Sequence, residues 1–353
     1  MRENIPLAPL TTLGVGGPAR FFAEARVPED IRYAVGHAKR QQLPLFVLGG
    51  GSNLVIADAG WQGLVLQVHI TGIANHAEGD RVIFEAGAGE DWDGLVAATV
   101  RAHCAGLECL SGIPGTVGGT PVQNVGAYGQ EVSDTIVKVT AFDRESGEIR
   151  DFANAGCGFA YRTSIFNTTQ RDRFIVLQVA YALHRGAAPK VEYADLKRHF
   201  ADKLKPSLQE VREAVLEIRQ SKGMLVEGDP DVRSAGSFFK NPIVGLQRFA
   251  ALDAEMQARG LQLPSYPAVE GQRKLSAAWL VEKAGFHKGY VHGNVGISSK
   301  HTLAIVNRGG ARASEIVSFM NVIRETVFSR FNVDLHPEPV FVGFDRSPIT
   351  PMR

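Results

Sequence analysis

The stretch that most constrains the fold is residues 111–129, which reads SGIPGTVGGTPVQNVGAYG and contains six glycines, two prolines and no charged residue. A regular helix or strand is excluded there, because glycine costs conformational entropy and proline lacks an amide donor. Glycine also lets the backbone reach positive φ and lets an anion approach bare N–H groups. A flexible linker is the alternative, but linkers are usually dominated by serine or proline and lack apolar residues such as Ile113 and Val117. We therefore expect an ordered loop that wraps a ligand.

A second glycine cluster follows an apolar segment nearer the N-terminus. Residues 43–48 (LPLFVL) predict a buried strand that runs into Gly-Gly-Gly-Ser-Asn at 49–53 and then into apolar residues 54–56. Such a turn can present N–H groups to a phosphate, although a plain glycine-rich hairpin is the alternative. A third stretch, 14–19, matches G-x-G-x-x-A, but no strand precedes it and Pro18 stands where a helix should open. The two loops suited to phosphate predict a long ligand with a diphosphate. The stretch 14–19 is not expected to form a Rossmann site.

Length and charge narrow the class of protein. A chain of 353 residues is too long for one small core, so two or three domains are expected. The 38 basic and 37 acidic residues nearly cancel, which argues against a nucleic-acid or membrane-surface role. Cys104, Cys109 and Cys157 show no metal-ligand spacing, so we expect free thiols and no metal site. MRENIPLAPL lacks an apolar signal region and the uncharged run 109–130 is too polar to span a membrane, which predicts a cytoplasmic protein without membrane insertion.

Hydrophobic periodicity predicts a mixed α+β fold. The expected helices are 29–42, 91–105, 207–222, 275–284 and 314–331, and the expected strands are 43–48, 64–68, 81–86, 136–142, 174–183, 302–306 and 340–344. The helix at 207–222 carries the clearest signals, because Ser207 and Glu210 form a capping box and Gly223 follows its end. Several strands with few helices favour α+β over a regular βαβ alternation. A charged loop is expected at 227–233.

Three short motifs stand apart from this packing pattern. Arg162, in CGFAYRTSIF, could hold a carboxylate, although a surface ion pair is the alternative. Ser237, in SAGSFFKNP, could donate a proton to a strongly basic enolate or carbanion, although a turn cap is the alternative. Glu338 stands between Pro337 and Pro339, and the following proline favours extended backbone. Its carboxylate could be a second acid, an orienting group or a solvated edge residue. No G-x-S-x-G elbow surrounds Ser237, which disfavours a hydrolase nucleophile.

Six segments together resemble one family, UDP-N-acetylenolpyruvoylglucosamine reductase, also called UDP-N-acetylmuramate dehydrogenase. They occur in the family's order across essentially the whole chain: TTLGVGGPA (11–19), LGGGSN (48–53), SGIPGTVGGTPVQNVGAYG (111–129), YRTSIF (161–166), AGSFFKNP (235–242) and LHPE (335–338). The long glycine-rich motif and AGSFFKNP are the most specific of the six. Composition and spacing alone indicate only an enzyme with a large cofactor.

The resemblance implies an α+β protein with a two-subdomain FAD-binding fold of the vanillyl-alcohol-oxidase (PCMH) type and a separate α+β substrate-binding domain. We expect subdomain 1 at 1–70, subdomain 2 at 71–204 and the substrate-binding domain at 205–339, with 340–353 as a candidate to return to subdomain 1. Non-covalent FAD would lie between the two subdomains, its diphosphate on the two glycine loops. The implied cofactor residues are Gly49, Gly50, Gly51, Ser52, Asn53, Gly112, Gly115, Thr116, Gly118, Gly119, Asn124 and Gly126.

The resemblance also implies a reaction of peptidoglycan precursor synthesis in the cell wall pathway. NADPH would reduce the flavin, and flavin N5 would then give a hydride to C3 of the enolpyruvyl group of UDP-N-acetylglucosamine enolpyruvate. Ser237 would protonate C2 of the enolate-like species, while Arg162 and Glu338 would stabilise its carboxylate end, giving UDP-N-acetylmuramate. Such a basic partner answers the objection that a serine hydroxyl is a weak acid.

Within the family, the sequence resembles the type that carries a tyrosine loop over the substrate, because 186–196 contains Tyr193 in an E-Y-A-D-L context. By position, Tyr193, Lys222 and Asn241 would hold the uridine diphosphate, with Arg219 as a further candidate. Lysine and amide donors on phosphate oxygens are the ordinary means of such anchoring.

Two departures from the family pattern are Pro339, where an aliphatic residue is more usual, and the insert at 223–233, which blurs the assignment of Lys222. Two other functions stay open on the sequence. An oxidase of the same flavin fold, acting on a sugar or an alcohol, would be rapidly reoxidised by oxygen. A nucleotide-sugar binding protein that has lost the cofactor would be colourless. We expect a monomer.

Overall fold

The computed structural model describes residues 1–225 and 233–352. They belong to two compact units, each considered by itself. The first unit consists of Met1–Ile5, Ala19–Gly51 and Trp61–Leu225, and the second consists of Pro6–Pro18, Ser52–Gly60 and the described part of Val226–Arg353. The charged loop expected at 227–233 lies outside the described residues, except for Arg233.

The helices and strands of the described residues are numbered in chain order. The helices are α1 (Pro28–Arg40), α2 (Trp92–Arg101), α3 (Ala194–His199), α4 (Leu208–Ser221), α5 (Leu246–Ala258), α6 (Ala277–Lys283) and α7 (Ala313–Phe331). The strands of the first half are β1 (Arg2–Pro6), β2 (Pro18–Ala25), β3 (Leu45–Leu48), β4 (Leu54–Ile56), β5 (Trp61–Val68), β6 (Ile73–Glu78), β7 (Arg81–Gly87), β8 (Cys104–Ala105), β9 (Gly126–Ala127), β10 (Gln130–Glu131), β11 (Ile136–Asp143), β12 (Ile149–Ala153) and β13 (Phe174–Arg185). Those of the second half are β14 (Ile243–Gly245), β15 (Ser265–Pro267), β16 (Gln272–Leu275), β17 (Val291–His292), β18 (Val295–Ile297), β19 (Ile305–Asn307) and β20 (Val340–Val342).

A four-stranded sheet in the order β1-β2-β5-β3 begins the first unit, and both β2 and β3 run parallel to β5. The centre of β5 is buried, as a strand of a covered parallel sheet must be. Helix α1 is amphipathic and buries Ile31, Ala34, Val35 and Ala38, which share one core with β5. Because β3 ends at Leu48, the triple-glycine loop lies at the carboxyl end of a parallel strand, where α/β sheets commonly bind ligands.

A larger antiparallel sheet completes the first unit, in the order β12-β11-β13-β7-β6, with β8 also paired to β13. The turn Val117–Gly119 of the glycine-rich run is attached to this sheet, because Gly118 N donates to Ala88 O at 2.9 Å and Ala88 N donates to Leu177 O at 2.8 Å. The glycine-rich run is therefore an ordered loop on a rigid sheet, as the sequence predicts.

Helix α4 shows the predicted capping box, in which Ser207 Oγ accepts from Glu210 N and the Glu210 carboxylate accepts from Ser207 N. Its apolar face buries Val211, Ala214 and Val215 against Tyr128 of the glycine-rich run. The sequence places this helix in the substrate-binding domain, but that face makes α4 part of the first unit. The rest of the three-domain division stays a prediction.

The second unit combines two three-stranded antiparallel sheets, β14-β16-β15 and β17-β18-β19, with the parallel pair β20-β4. Helix α7 runs through its core, with the predicted face fully buried: Ile316, Met320, Ile323 and Val327. On the same helix Arg324 is 1% exposed and donates to Leu335 O at 2.7 Å and to Asp334 Oδ1 at 2.8 Å. These bonds attach the start of the LHPE segment to α7.

Most predicted elements are confirmed, with boundaries shifted by a few residues. Only the end of the strand expected at 302–306 is a strand, because β19 is Ile305–Asn307 and residues 302 and 303 form a turn before it. Helix α5 was not predicted, since it buries only Leu252 and Met256 and so lacks a continuous apolar stripe. The stretch 14–19 leads into strand β2, which confirms that it is no Rossmann loop. The three cysteines are free and buried, as expected.

Candidate functional site

The triple-glycine loop and the glycine-rich run touch each other within the first unit. A Cβ on Gly50 would lie 2.6 Å from Gly115 Cα, and a Cβ on Gly49 would lie 3.0 Å from Thr116 Oγ1. Gly115 has φ +129°, and Gly51 has φ +66°. Only glycine permits both this close approach and these dihedral angles, so the two clusters form one backbone surface.

Three backbone donors on this surface are open to a ligand. The N–H groups of Gly50, Gly51 and Thr116 donate to no other described residue. Closely spaced N–H groups without a protein acceptor form an anion-binding concavity, which fits the diphosphate of FAD. Gly119 also offers room, because no atom lies within 4 Å of a Cβ built there.

The other predicted cofactor residues of the glycine-rich run hold the protein itself together. Gly118 packs against the sheet, since its Cβ would lie 2.6 Å from Ala88 Cβ. Gly112 N donates to Asp93 Oδ1 at 2.6 Å, and Gly112 O accepts from Arg219 Nε at 3.1 Å. The resemblance to the family motif does not distinguish residues such as Gly112 and Gly118, which hold the loop in place, from residues whose N–H groups are open to a ligand.

Asn124 and Gly126 also brace the loop. The Asn124 side chain donates to Glu131 Oε2 at 2.8 Å and to Ala160 O at 3.1 Å, and its oxygen accepts from Ser133 N at 3.1 Å. These bonds use both amide protons of Asn124 and one lone pair of its oxygen. The predicted cofactor contacts of Asn124 and Gly126 stay predictions.

Arg162 lies in the first unit with φ +55°, in the left-handed region. Its Nη2 donates to Gly126 O at 2.7 Å, and its guanidinium stacks over the Tyr161 ring at 5.5 Å. Asn167 Nδ2 donates to Arg162 O at 3.2 Å, which secures the backbone. The guanidinium is thus half-buried and aligned by the glycine-rich run, a geometry that a solvated surface arginine would lack.

Ser237 and Glu338 are brought together in the second unit by a short antiparallel pairing. Phe239 bridges Pro337, and Glu338 N donates to Phe238 O at 2.9 Å. The buried Phe238 and Phe239 rings anchor one side of this pairing. Ser237 is half-buried, and its hydroxyl bonds to no other described residue. The hydroxyl is therefore available to a ligand, which argues against the turn-cap alternative.

Ser52 and Asn53, predicted with the triple-glycine loop, belong to the second unit. Asn53 Nδ2 donates to Glu338 O at 3.3 Å, and Ser52 O accepts from Thr12 Oγ1 at 3.3 Å. Thr12 Oγ1 also approaches Ser234 O at 2.7 Å, which ties the TTLGVGG segment to the serine motif. The N-terminal segment thus supports the Ser237 loop.

The predicted substrate residues fall into two groups. Tyr193, Lys222 and Arg219 lie together in the first unit, whereas Asn241 lies in the second. Asn241 Oδ1 accepts from Ala277 N at 2.9 Å, at the start of α6, which leaves its amide nitrogen as a donor.

Arg219 is 7% exposed, and burial lowers the pKa of its guanidinium. Nε donates to Gly112 O at 3.1 Å, and Nη2 donates to Met224 O at 3.1 Å. These bonds make Arg219 a brace between α4 and the glycine-rich run. Its predicted direct contact with substrate stays a prediction.

Two residues beside Tyr193 were not singled out by sequence reasoning. The Tyr128 ring meets the Tyr193 ring edge-on at 5.4 Å between centroids, and burial raises the pKa of Tyr128 to about 12. Asp195 pairs with Lys222, with 2.6 Å between Oδ2 and Nζ. The available signal was an acidic residue two positions after the loop tyrosine.

Comparisons with known proteins decide the family. A model described as the FAD binding domain matches residues 19–153, and one described as the UDP-N-acetylenolpyruvoylglucosamine reductase C-terminal domain matches 229–342. A protein of Thermobifida fusca named UDP-N-acetylenolpyruvoylglucosamine reductase is 46% identical over 351 residues, 97% of this chain and 98% of that protein. The chain belongs to the UDP-N-acetylenolpyruvoylglucosamine reductase family.

Further members of the family agree. The reductase of Streptomyces coelicolor is 44% identical over 97% of this chain and 90% of its own length. The crystal structure of the Thermus caldophilus reductase matches with a TM-score of 0.65 at 26% identity, covering 97% of this chain and 98% of that one. The predicted family, the α+β fold class with an FAD-binding domain, and FAD as cofactor are confirmed, so the protein is an FAD-containing oxidoreductase.

No helix in the described part of the chain is long and apolar enough to cross a membrane. Within residues 1–225 and 233–352, no group of three or more His, Cys, Asp or Glu side chains could hold a metal ion.

Proposed function

We propose that the chain reduces UDP-N-acetylglucosamine enolpyruvate to UDP-N-acetylmuramate, with NADPH as the hydride donor, in peptidoglycan precursor synthesis. The observation that carries the proposal is the position of Ser237 in a chain of the reductase family. Its hydroxyl is available to a ligand, and its segment pairs with the segment that carries Glu338. Bound FAD would supply the hydride chemistry, from NADPH to C3 of the enolpyruvyl group. Gly50, Gly51 and Thr116 would hold its diphosphate.

Ser237 supplies the proton that completes the reduction. Hydride addition at C3 leaves an enolate-like carbon at C2, which takes the hydroxyl proton, and the serine oxygen regains a proton from water. A serine hydroxyl is acidic enough for so basic a partner. Ser237 is half-buried and precedes the fully buried Phe238, whose packing restricts the backbone that carries the hydroxyl.

Arg162 and Glu338 act on the carboxylate end of the substrate. The Arg162 guanidinium, already aligned by Gly126 O, can pair with the carboxylate and stabilise charge delocalised onto it from C2. Glu338 is held at its backbone by Phe238 O, so its side chain can polarise or orient the same group. Tyr193, Lys222 and Asn241 are proposed to bind the uridine diphosphate.

The location and partners extend this proposal. The nucleotide sugar and NADPH are its small-molecule partners, and family membership supports both. A cytoplasmic monomer is proposed, and light scattering of the purified holoenzyme would reveal a dimer if the monomer is wrong.

The substitution Ser237→Ala tests the mechanism by separating its two half-reactions. NADPH should still bleach the flavin absorbance, whereas reoxidation by the enolpyruvyl nucleotide sugar should slow by about 10²–10⁴-fold. Ser329→Ala, an exposed serine on α7, is the matched control and should leave both rates unchanged. A loss below ~tenfold would contradict the general-acid role, because general acids usually contribute more than that. Fast reoxidation by oxygen alone would favour the oxidase.

A further inference from the structure

The ion pair between Asp195 and Lys222 joins the two elements that carry the predicted nucleotide-binding residues. Asp195 lies in the first turn of α3, two residues after Tyr193, and Lys222 directly follows α4. Oδ2 and Nζ lie 2.6 Å apart, and both side chains are about one-quarter to one-third exposed. The contact is thus a close, charge-assisted hydrogen bond that is partly shielded from water.

The surroundings of Lys222 make its neighbourhood attractive to anions. Its ammonium lies 5.6 Å from the centre of the Tyr128 ring, and Arg219, about one helical turn earlier, is hydrogen-bonded to the same tyrosine. Two cations therefore converge on Tyr128, and Asp195 is the carboxylate that contacts Lys222 directly. Asp195 also contacts the exposed Arg198, with 3.5 Å between Oδ1 and Nη1.

We infer that the Asp195 carboxylate and the nucleotide diphosphate compete for Lys222, so that the carboxylate is displaced when the diphosphate binds. A carboxylate oxygen and a phosphate oxygen make the same short bond to an ammonium group, so both cannot take this position at once. Asp195 therefore acts as an internal competitor that sets the affinity for the nucleotide. This inference rests on the proposed function, through the assignment of Lys222 to the diphosphate.

Displacement also links nucleotide binding to the Tyr193 segment. The Asp195–Lys222 pair attaches the first turn of α3 to the end of α4, and the Tyr128–Tyr193 ring contact attaches the residue before α3 to the glycine-rich run. Breaking the first contact leaves the second in place. The diphosphate takes the place of the Asp195 carboxylate, so Lys222 exchanges one anionic partner for another and is not left unpaired.

The experiment is a titration of the oxidised holoenzyme with UDP, followed by the change in flavin absorbance or fluorescence. Asp195→Asn removes the charge but keeps the size, so UDP should bind about 3- to 10-fold more tightly than to the parent. Asp202→Asn is the matched control: it removes the same charge from an exposed position in the same segment and should leave the Kd unchanged. Unchanged or weaker UDP binding by Asp195→Asn would overturn the inference, since it would mean that Asp195 serves only to position Lys222.

A second pair of variants separates this inference from the proposed function. Lys222→Met should weaken UDP binding, and adding Asp195→Asn to it should have no further effect, because the competitor then has nothing to compete for. If Lys222→Met leaves the Kd unchanged, the assignment of Lys222 to the diphosphate is wrong. If Lys222→Met weakens binding but Asp195→Asn does not tighten it, only the competition is wrong.

Discussion

Removing the Asp93 carboxylate should loosen the start of the glycine-rich run. Arg212 on α4 donates to both Asp93 oxygens at 2.7 Å, and Gly112 N donates to Oδ1 at 2.6 Å. The same peptide is held from its other side, where Gly112 O accepts from Arg219 Nε at 3.1 Å. Asp93 on α2 thus connects α4 to the first peptide of the cofactor loop.

The loss in free energy of unfolding should lie between the value for an exposed ion pair and the value for a buried one. Exposed pairs contribute roughly 0.2–1 kcal/mol, whereas breaking a buried pair costs about 3–5 kcal/mol. The Arg212 and Asp93 side chains are 13% and 32% exposed, so Asp93→Ala should cost about 2 kcal/mol. Asp93→Asn keeps an acceptor for Gly112 N and should cost about 1 kcal/mol. For a unit of this size, the larger loss lowers Tm by roughly 4–8 °C.

The effect should depend on pH in a defined direction. Burial by itself would raise the pKa of Asp93, but the hydrogen bonds from Arg212 and Gly112 N outweigh burial and hold that pKa below its usual value of 3.8. A carboxyl group with a lowered folded-state pKa stabilises the protein above its unfolded pKa and loses that contribution as the pH falls through the folded value. The difference between parent and Asp93→Asn should therefore stay constant from pH 7 to 5 and shrink below about pH 4.

Urea unfolding of the holoenzyme, followed by tryptophan fluorescence, measures these differences, and flavin release reports on the loop. The cycle of Asp93→Ala, Arg212→Ala and the double variant should show a coupling of about 1–2 kcal/mol. Glu255→Gln, which breaks an exposed pair with Arg259 on α5, is the control and should change stability by under about 0.5 kcal/mol. Additive effects of the two substitutions, or a pH-independent difference, would refute the argument.

Two further predictions concern the cofactor and the substrate. Gly50→Ala should lower the flavin content of the purified protein, because its Cβ would lie 2.6 Å from Gly115 Cα, whereas Gly156→Ala, where no atom lies within 4 Å, should keep the absorbance ratio at 450 and 280 nm unchanged. Tyr193→Phe should weaken nucleotide-sugar binding about 5-fold while NADPH-driven flavin reduction is unaffected. Exposed Tyr33→Phe is its control, and equal effects on both half-reactions would contradict a substrate-side role.

Elements with strong local signals were predictable from the sequence. Helix α4 follows from the capping box of Ser207 and Glu210, and the buried face of α7 follows from the spacing of its apolar residues. The ordered state of residues 111–129 follows from glycines mixed with apolar residues. These signals act over one or two turns of chain, so they are visible without knowing what packs against them.

The placement of the chemical groups depended on tertiary structure. Ser237 and Glu338 are about a hundred positions apart in the sequence, and only the pairing of their segments shows that they share one loop surface. The Asp195–Lys222 contact likewise requires α3 to lie against the end of α4. No periodicity predicts such contacts, because they depend on the geometry of distant segments and not on local backbone preference.

The glycine-rich run shows which properties the sequence determines and which the tertiary structure decides. Its composition determined that the chain had to form an irregular loop of bare backbone, because glycine alone tolerates positive φ and close approach. Only the tertiary structure decided which donors stay available: Gly112 N is taken by Asp93 and Gly118 N by Ala88 O, whereas Thr116 N has no protein acceptor among the described residues. The physical reason is that a hydrogen bond to a neighbouring segment and one to a ligand compete for the same N–H group, and the fold settles that competition.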